Sequence, residues 1–100
     1  MLELFKTLFI RHKTVCGFPE NAVFIDVSPE HQFEIAHLEG AINVPLEILY
    51  GVFEILCKYN THVVVVCNNG FRSQIAFEIL YKLGVNVHYG GNWRKLKLKQ

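Results

Sequence analysis

Residues 63–73 read VVVVCNNGFRS, and this stretch decides the fold. Its first five residues are apolar on both faces, as in a central parallel strand that helices cover on both sides. A short polar loop follows, and residues 71–83 then have the apolar spacing of an amphipathic helix. Gly84 stands where a left-handed C-cap would end that helix. A strand, a loop and a helix in this order are typical of an α/β fold.

The rest of the chain continues this alternation. Strands are predicted at residues 22–27, 41–44, 63–67 and 85–89, and helices at 28–36, 46–58 and 71–83. The helix at 28–36 would begin with Ser28 as N-cap and Pro29 in the first helical position. Residues 1–12 have mostly helical apolar spacing, and a short strand at either end fits them as well. The order predicts a central, mostly parallel β-sheet flanked by helices on both faces.

The composition is that of a small, apolar and nearly neutral chain. It has 100 residues, a formal net charge of +1 and 51% hydrophobic residues. This length predicts one domain over residues 1–100, and this apolar content excludes intrinsic disorder. The low charge removes a general electrostatic case for nucleic-acid or anionic-membrane binding, and the apolar runs are too short to span a bilayer. We therefore expect no nucleic acid and no membrane among the partners.

The cysteines point to a reducing compartment. Cys16, Cys57 and Cys67 have no CxxC spacing, so they predict neither a disulfide framework nor a zinc site. The five histidines have no ligand spacing either, and no metal site is expected. The first residues, with an acidic residue at Glu3, do not resemble a secretory signal, which favours the cytoplasm. Cys57 falls on the apolar face of its predicted helix and is expected in the core.

The loop after the predicted central strand is the candidate site. Cys67 ends the strand, at the edge of the sheet where ligands of open α/β folds bind. Loop amides and the N-terminal end of the next helix favour a thiolate there over a thiol. We therefore predict Cys67 as a nucleophile rather than an inert, buried strand cysteine, which is the alternative. The binding residues predicted around it are Asn68, Asn69, Gly70, Phe71, Arg72 and Ser73.

Three of these loop residues have distinct expected roles. Gly70 permits a positive φ or a close approach of the backbone. Arg72 supplies a permanent charge and a fork of donors for an anionic group. Ser73 either caps the helix or donates a hydrogen bond to the bound anion.

Four segments resemble the single-domain rhodanese, or thiosulfate sulfurtransferase, family. Residues 24–33, FIDVSPEHQF, are similar to its first signature strand and helix. Residues 36–45, AHLEGAINVP, are similar to its second motif, and residues 65–73 to its active-site strand and loop. Residues 90–93, GGNW, resemble the terminal Gly-Gly and Trp segment. The resemblance covers residues 22–93, and it implies a rhodanese-like fold.

The resemblance also implies a chemistry. Cys67 would take sulfane sulfur from a small anionic donor such as thiosulfate as a persulfide, and would pass it to a thiol or cyanide acceptor. Backbone amides of residues 68–73 would cradle the persulfide, and Arg72 would help to hold the donor. No metal or organic cofactor is implied, and we expect a monomer or weak dimer. A partner protein in a sulfur relay is a further possible acceptor or donor.

The sequence departs from the family pattern at three positions. Ser28 stands where many members have Arg, Ala36 where many have Gly, and Asn68 where many have a basic residue. The loop therefore holds one formal charge, Arg72, where members active on thiosulfate often hold two. These departures leave open a persulfide relay with another protein, or a non-catalytic binding module.

Loop length separates sulfur transfer from phosphate chemistry. Four residues lie between Cys67 and Arg72, one fewer than in the cell-cycle phosphatases that share this fold. A tighter loop suits a sulfur atom better than a tetrahedral phosphate. Sulfur transfer is therefore favoured over a Cys-dependent phosphatase or an arsenate reductase, which remain the other enzymatic alternatives.

The end of the chain is basic. Half of the ten Lys and Arg residues lie in the loop or the tail, namely Arg72, Arg94, Lys95, Lys97 and Lys99. A solvated end is the first interpretation of this tail, and attraction of an anionic donor or acidic partner is the second. Trp93 is expected to pack against the end of the sheet. Asp26 and His37 are expected to have structural roles.

Overall fold

Four parallel strands form one sheet in the computed structural model, which describes residues 15–58 and 62–98. The strands are β1 (Val23–Asp26), β2 (Ile42–Asn43), β3 (Val63–Cys67) and β4 (Val87–Asn92). The helices are α1 (Glu30–Ile35), α2 (Phe53–Lys58) and α3 (Phe71–Lys82), with 3₁₀ segments η1 (Leu46–Gly51) and η2 (Trp93–Lys95). The sheet order is β2-β1-β3-β4. The predicted parallel α/β architecture is confirmed, and the prediction for residues 1–12 lies outside the described residues.

Strand β3 is buried on both faces because it lies inside the sheet, between β1 and β4. Every residue from Val63 to Val66 has an exposed fraction of 0%, and Cys67 has 1%. Val63, Val65 and Cys67 pack in a core with side chains of η1, α2 and α3. Alternate side chains point to opposite faces of a strand, so Val64 and Val66 pack in a second core. The double burial explains why this strand is continuously apolar.

The second core joins the sheet to segments near both ends of the described chain. Its buried members besides the valines are Val15, Ala22, Phe24 and Leu38, with Phe18, Ala41, Trp93 and Leu96 packed against them. Trp93 therefore packs on the sheet, as predicted. This packing anchors η2 close to the carboxyl end of β3. In residues 15–58 and 62–98, no helix has the length and apolarity that crossing a bilayer requires.

The end of α3 confirms the predicted cap. Gly84 has φ +87°, and its amide donates to the carbonyl of Tyr81 at 3.2 Å. The amide of Val85 donates to the carbonyl of Leu80 at 3.0 Å. These two bonds form a Schellman motif, which satisfies the last carbonyls of the helix.

Two predictions about helices were wrong. Residues 46–58 do not form one helix: η1 ends at Gly51 and α2 begins at Phe53, with Val52 between them in a non-helical conformation. Cys57 on α2 is consequently exposed rather than in the core. Ser28 does not cap α1, because Pro29 occupies the N-cap position and no side chain caps that helix. The Ser28 side chain bonds to the loop after β3 instead.

The last strand was predicted too early. Strand β4 begins at Val87 rather than residue 85, and it continues through Gly90 and Gly91 to Asn92. A bulge makes this possible, since Val65 pairs with Tyr89 and Val66 pairs with Gly91. A Cβ on Gly90 would lie 2.6 Å from Val66 Cγ1, so only glycine fits there. The extension brings Asn92 beside Cys67, where the functional site begins.

Candidate active site

The Cys67 sulfur lies at the carboxyl end of β3, inside the loop that leads into α3. The amides of Gly70 and Ser73 donate to Sγ at 3.0 and 3.3 Å. The thiol in turn donates to Ser73 Oγ at 3.4 Å. Because Cys67 is only 1% exposed, its sulfur is surrounded by fixed donors rather than by bulk water. Two convergent amides form a concavity that suits negative charge on sulfur.

Gly70 shapes the loop through its backbone. It is the N-cap of α3 and has φ +86°, a conformation that residues with a Cβ rarely adopt. Its carbonyl accepts hydrogen bonds from Ser73 Oγ at 3.0 Å and from the Tyr89 hydroxyl at 3.1 Å. These bonds hold the peptide between Gly70 and Phe71, which limits rotation of the Gly70 backbone whose amide contacts Cys67.

Asn69 and Phe71 complete the turn. Asn69 Oδ1 accepts a hydrogen bond from the Phe71 amide at 2.9 Å, and it lies 3.7 Å from Cys67 Sγ. The Phe71 side chain is 67% exposed, whereas Cys67, four residues earlier, is buried. Asn69 therefore stabilises the turn, while Phe71 contributes an apolar surface at the rim of the site.

Asn68 connects the loop to the first strand and helix. Its amide donates to Ser28 Oγ at 3.3 Å, and the Ser28 amide donates to Asp26 Oδ1 at 2.8 Å. Its side-chain Nδ2 donates to Gln32 Oε1 on α1 at 2.9 Å. The first residue of the loop is therefore held by β1 and α1, and Asp26 has the structural role expected of it.

The other side of the Asn68 side chain faces η2. Its Oδ1 accepts hydrogen bonds from Trp93 Nε1 at 2.9 Å and from an Arg94 NH group at 3.2 Å. The same NH group of Arg94 lies 3.4 Å from the Asn68 carbonyl oxygen. The guanidinium stacks over the Trp93 ring, 4.6 Å from its centroid. Asn68 therefore joins α1 to η2 across the start of the loop.

Arg72 is bound to an acidic side chain of η1. Its guanidinium donates to Glu47 Oε1 at 2.7 Å, and both groups are partly or largely exposed. This hydrogen bond from Arg72 lowers the pKa of Glu47, so the carboxylate keeps its charge at neutral pH. The charge expected to hold the donor is thus compensated by a neighbour.

The structure brings the predicted site residues together, with different contacts for each. The amides of Gly70 and Ser73 reach Sγ, whereas those of Asn68 and Phe71 bond to oxygen atoms elsewhere. Sequence reasoning did not foresee the contacts that six side chains among the described residues make with the loop, which are those of Ser28, Gln32, Glu47, Tyr89, Trp93 and Arg94. Alternation and spacing carry no signal for them because they come from other elements. For Arg94, the one signal in the sequence was its place in a basic tail that could attract an anionic donor.

Two histidines meet at the opposite end of β3. His62 Nδ1 lies 3.0 Å from His88 Nε2 and 3.1 Å from Asn86 Nδ2. Desolvation, and then the charge of His62, lower the pKa of His88. Over the part of the chain that the structure describes, no three His, Cys, Asp or Glu side chains form a group that could hold a metal ion.

Comparison with known proteins agrees with this architecture. The family model described as the rhodanese-like domain matches residues 17–94. A protein of Vanderwaltozyma polyspora named adenylyltransferase and sulfurtransferase UBA4 is 36% identical over 87 residues, which cover 78% of this chain and 19% of that protein. Thiosulfate sulfurtransferase PspE of Escherichia coli is 39% identical over 62 residues, which cover 61% of this chain and 60% of PspE. This chain thus spans about a fifth of the length of the UBA4 protein.

Solved structures resemble it as well. A rhodanese with anions from E. coli has a TM-score of 0.65 and 33% identity, with 73% of this chain and 88% of that chain covered. Human single-domain sulfurtransferase TSTD1 has a TM-score of 0.62, and the alignment covers 94% of this chain and 89% of the TSTD1 chain. Its sequence identity is 19%, so this similarity supports the fold alone. The family model matches most of the chain and agrees with the parallel sheet, so the chain belongs to the family of rhodanese-like domains.

Proposed function

We propose that this protein is a sulfurtransferase in which Cys67 carries sulfane sulfur as a persulfide. The observation that carries the proposal is the pair of amides, from Gly70 and Ser73, that donate to Cys67 Sγ at 3.0 and 3.3 Å. Donors fixed in this way can stabilise negative charge that develops at sulfur during the reaction. The family membership supports sulfur transfer in general, and the residues of the loop give it a site.

The reaction consists of two displacements at sulfur. The Cys67 thiolate attacks the outer sulfur of thiosulfate, a new sulfur–sulfur bond forms, and the bond to the sulfonate sulfur breaks. Sulfite leaves with the electron pair of that bond, and the terminal sulfur of the persulfide carries one negative charge. A thiolate or cyanide then attacks this terminal sulfur, which yields an acceptor persulfide or thiocyanate and returns the Cys67 thiolate. No external oxidant or reductant is needed.

The loop geometry favours sulfur over phosphate. The amides of Gly70 and Ser73 already contact Cys67 Sγ, and the amides of Asn68 and Phe71 are bonded to oxygen atoms of Ser28 and Asn69. A phosphoryl group has three oxygen atoms that need donors in its transition state. We therefore expect no hydrolysis of p-nitrophenyl phosphate above the background rate of a Cys67→Ser variant.

The donor and acceptor are part of the proposal. Thiosulfate is the proposed small donor, by similarity to PspE. A partner protein is the second candidate, because UBA4 is named as a sulfurtransferase and because Phe71 presents a 67% exposed side chain beside Cys67. An exposed aromatic residue at the rim of a site suits contact with another protein. We propose a cytoplasmic monomer or weak dimer that acts without metal or organic cofactor.

A cyanide assay tests the proposal. The purified protein is mixed with thiosulfate and cyanide, and thiocyanate is measured as its ferric complex. We expect turnover by the natural chain and by a Cys16→Ser variant, and none by Cys67→Ser. Equal rates for the natural chain and Cys67→Ser would overturn the proposal. No thiocyanate at all, with unaltered folding, would reject thiosulfate as donor, and the same assay with a protein persulfide would then test the relay.

A further inference from the structure

Two arginines lie near the loop, and their electrostatic situations differ. Arg72 donates to the Glu47 carboxylate at 2.7 Å, so the pair has no net charge. Arg94 contacts only uncharged groups in the interactions described, namely the two oxygen atoms of Asn68 and the Trp93 ring. Among residues 15–58 and 62–98, no carboxylate forms a salt bridge with it. Of these two arginines, Arg94 therefore carries the uncompensated positive charge beside the loop.

The position of Arg94 is fixed by several contacts. Asn92 Oδ1 accepts a hydrogen bond from the Arg94 amide at 3.0 Å, which caps the 3₁₀ segment. Trp93 packs on the second core and holds the guanidinium over its ring. Gln32 accepts from Asn68 Nδ2, and this bond turns Asn68 Oδ1 toward η2. The arginine is thus part of a built arrangement rather than of a freely moving tail.

The positive charge of Arg94 lies beside a loop whose first residue, Asn68, is uncharged. The residue directly after Cys67 is uncharged, and its two oxygen atoms accept from an Arg94 NH group at 3.2 and 3.4 Å. Neutral acceptors leave the full charge on the guanidinium. These two bonds occupy one NH₂ group, and a guanidinium has further donors for an incoming anion.

We propose that Arg94 is the donor-binding arginine of this site, and that it engages the anionic sulfonate end of a small sulfane-sulfur donor. This inference rests on the proposed sulfur transfer and adds a specificity-determining residue to it. A guanidinium matches two oxygen atoms of a sulfonate with parallel hydrogen bonds. Arg94 therefore favours a dianionic donor over a donor of lower charge, whereas the charge of Arg72 is compensated by Glu47.

The test compares donors of different charge. The variants are Arg94→Gln, Arg94→Lys and, as a charge-matched control, Lys95→Gln on the same exposed segment. Thiocyanate formation is measured with thiosulfate, a dianion, and with methanethiosulfonate, a monoanion. For Arg94→Gln we expect kcat/KM for thiosulfate to fall about tenfold, through KM, as loss of a charged hydrogen bond would cause. For methanethiosulfonate the fall should be about threefold or less. Arg94→Lys should restore part of the thiosulfate activity, and Lys95→Gln should match the natural chain.

The outcomes separate this inference from the proposed function. If the natural chain is active and Arg94→Gln has the same kcat/KM for thiosulfate, the proposed role of Arg94 is overturned and the proposed sulfur transfer is not affected. An equal loss for both donors would also overturn it, because that result indicates a merely structural residue. No sulfur transfer by the natural chain from either donor would contradict the proposed function itself. Should Arg94→Gln unfold, the donor dependence of Arg94→Lys decides: equal changes for both donors would count against the inference.

Discussion

The amide of Gly70 donates a hydrogen bond to the Cys67 sulfur at 3.0 Å, across a turn of three residues. This contact exists because Gly70 has φ +86°, which directs its amide inward while its peptide starts helix α3. The carbonyl of the same residue is held by Ser73 and Tyr89. One glycine thus joins the end of the central strand, the beginning of a helix and the edge strand beside the Cys67 sulfur.

Replacing Gly70 by alanine should damage the site more than the fold. A Cβ there would lie 3.1 Å from the Tyr89 hydroxyl oxygen, and φ +86° would be strained. We expect the free energy of unfolding to fall by about 1–3 kcal/mol. Loss of the amide contact to sulfur should lower kcat/KM for thiosulfate at least about tenfold. Urea unfolding and the cyanide assay measure the two effects.

Gly84→Ala is the matched control for that variant. Gly84 has nearly the same φ, +87°, but among the described residues, its two chain neighbours aside, no atom would lie within 4 Å of a Cβ there. It lies just beyond the end of α3 that is opposite Gly70. The Gly84→Ala protein should lose about as much stability as the Gly70→Ala protein and keep its activity. A Gly70→Ala protein as active as Gly84→Ala would show that the Gly70 amide contributes nothing to sulfur transfer.

Removing the carboxylate of Glu47 should free the charge of Arg72. Glu47 has a lowered pKa because Arg72 donates to it, so the pair stays ionised at neutral pH. In Glu47→Gln the net charge near the loop rises by one, and we expect kcat/KM for thiosulfate to rise about twofold to fivefold at low salt. The gain should shrink as salt is added.

Glu54→Gln provides the control, because it removes an exposed carboxylate from α2, and it should leave kcat/KM unchanged. A decrease in Glu47→Gln would contradict this account. It would mean that the hydrogen bond from Arg72 to Glu47 positions Arg72 for catalysis.

The strand and the loop could be predicted from sequence because their signals are local. Four successive valines predict a strand that is buried on both faces of the sheet. Gly70 indicates the sharp turn after Cys67. Gly84 likewise indicates the end of α3. In each case neighbours in sequence determine the conformation, so composition and spacing suffice.

The errors at Ser28 and at strand β4 came from contacts between distant parts of the chain, whereas the break at Val52 is a local change of backbone conformation. The apolar spacing of residues 46–58 suits one helix, but the backbone at Val52 leaves the helical conformation and divides it. Ser28 bonds to Asn68, 40 residues away, instead of capping α1. A bulge at Gly90 lets β4 continue to Asn92, although the two glycines predicted the end of the strand at Tyr89. For the same reason, Arg94 could not be assigned to the site from spacing.

The pair of His62 and His88 predicts a pH dependence of stability. Desolvation, with a smaller effect of the His62 charge, lowers the pKa of His88 in the folded protein below its ordinary value near 6.5. As the pH falls through about 6.5, the unfolded chain therefore binds its proton before the folded protein does. Stability due to His88 is present above this range and is lost as the pH falls toward the folded pKa. Among the described residues, the Phe18 ring contacts His88 edge-on, and Asn86 Nδ2 lies 3.1 Å from His62 Nδ1.

His88→Gln should flatten the loss of stability between neutral and mildly acidic pH. Urea unfolding at several pH values gives the free energy of unfolding at each pH. The slope of this free energy against pH, and not its absolute value, is compared between the proteins. His31→Gln, which changes an exposed histidine on α1, should keep the slope of the natural chain. Identical slopes in all three proteins would refute the assignment to His88.

The most direct test of the account is the mass of the protein after reaction with thiosulfate. The chain with Cys16 and Cys57 both replaced by serine keeps only Cys67 as an acceptor. After incubation and removal of excess donor, intact-mass spectrometry should show one added sulfur atom, fragmentation should locate it on Cys67, and cyanide should remove it as thiocyanate. A correctly folded protein that gains no sulfur from thiosulfate or from a protein persulfide would contradict the central claim that Cys67 carries sulfur.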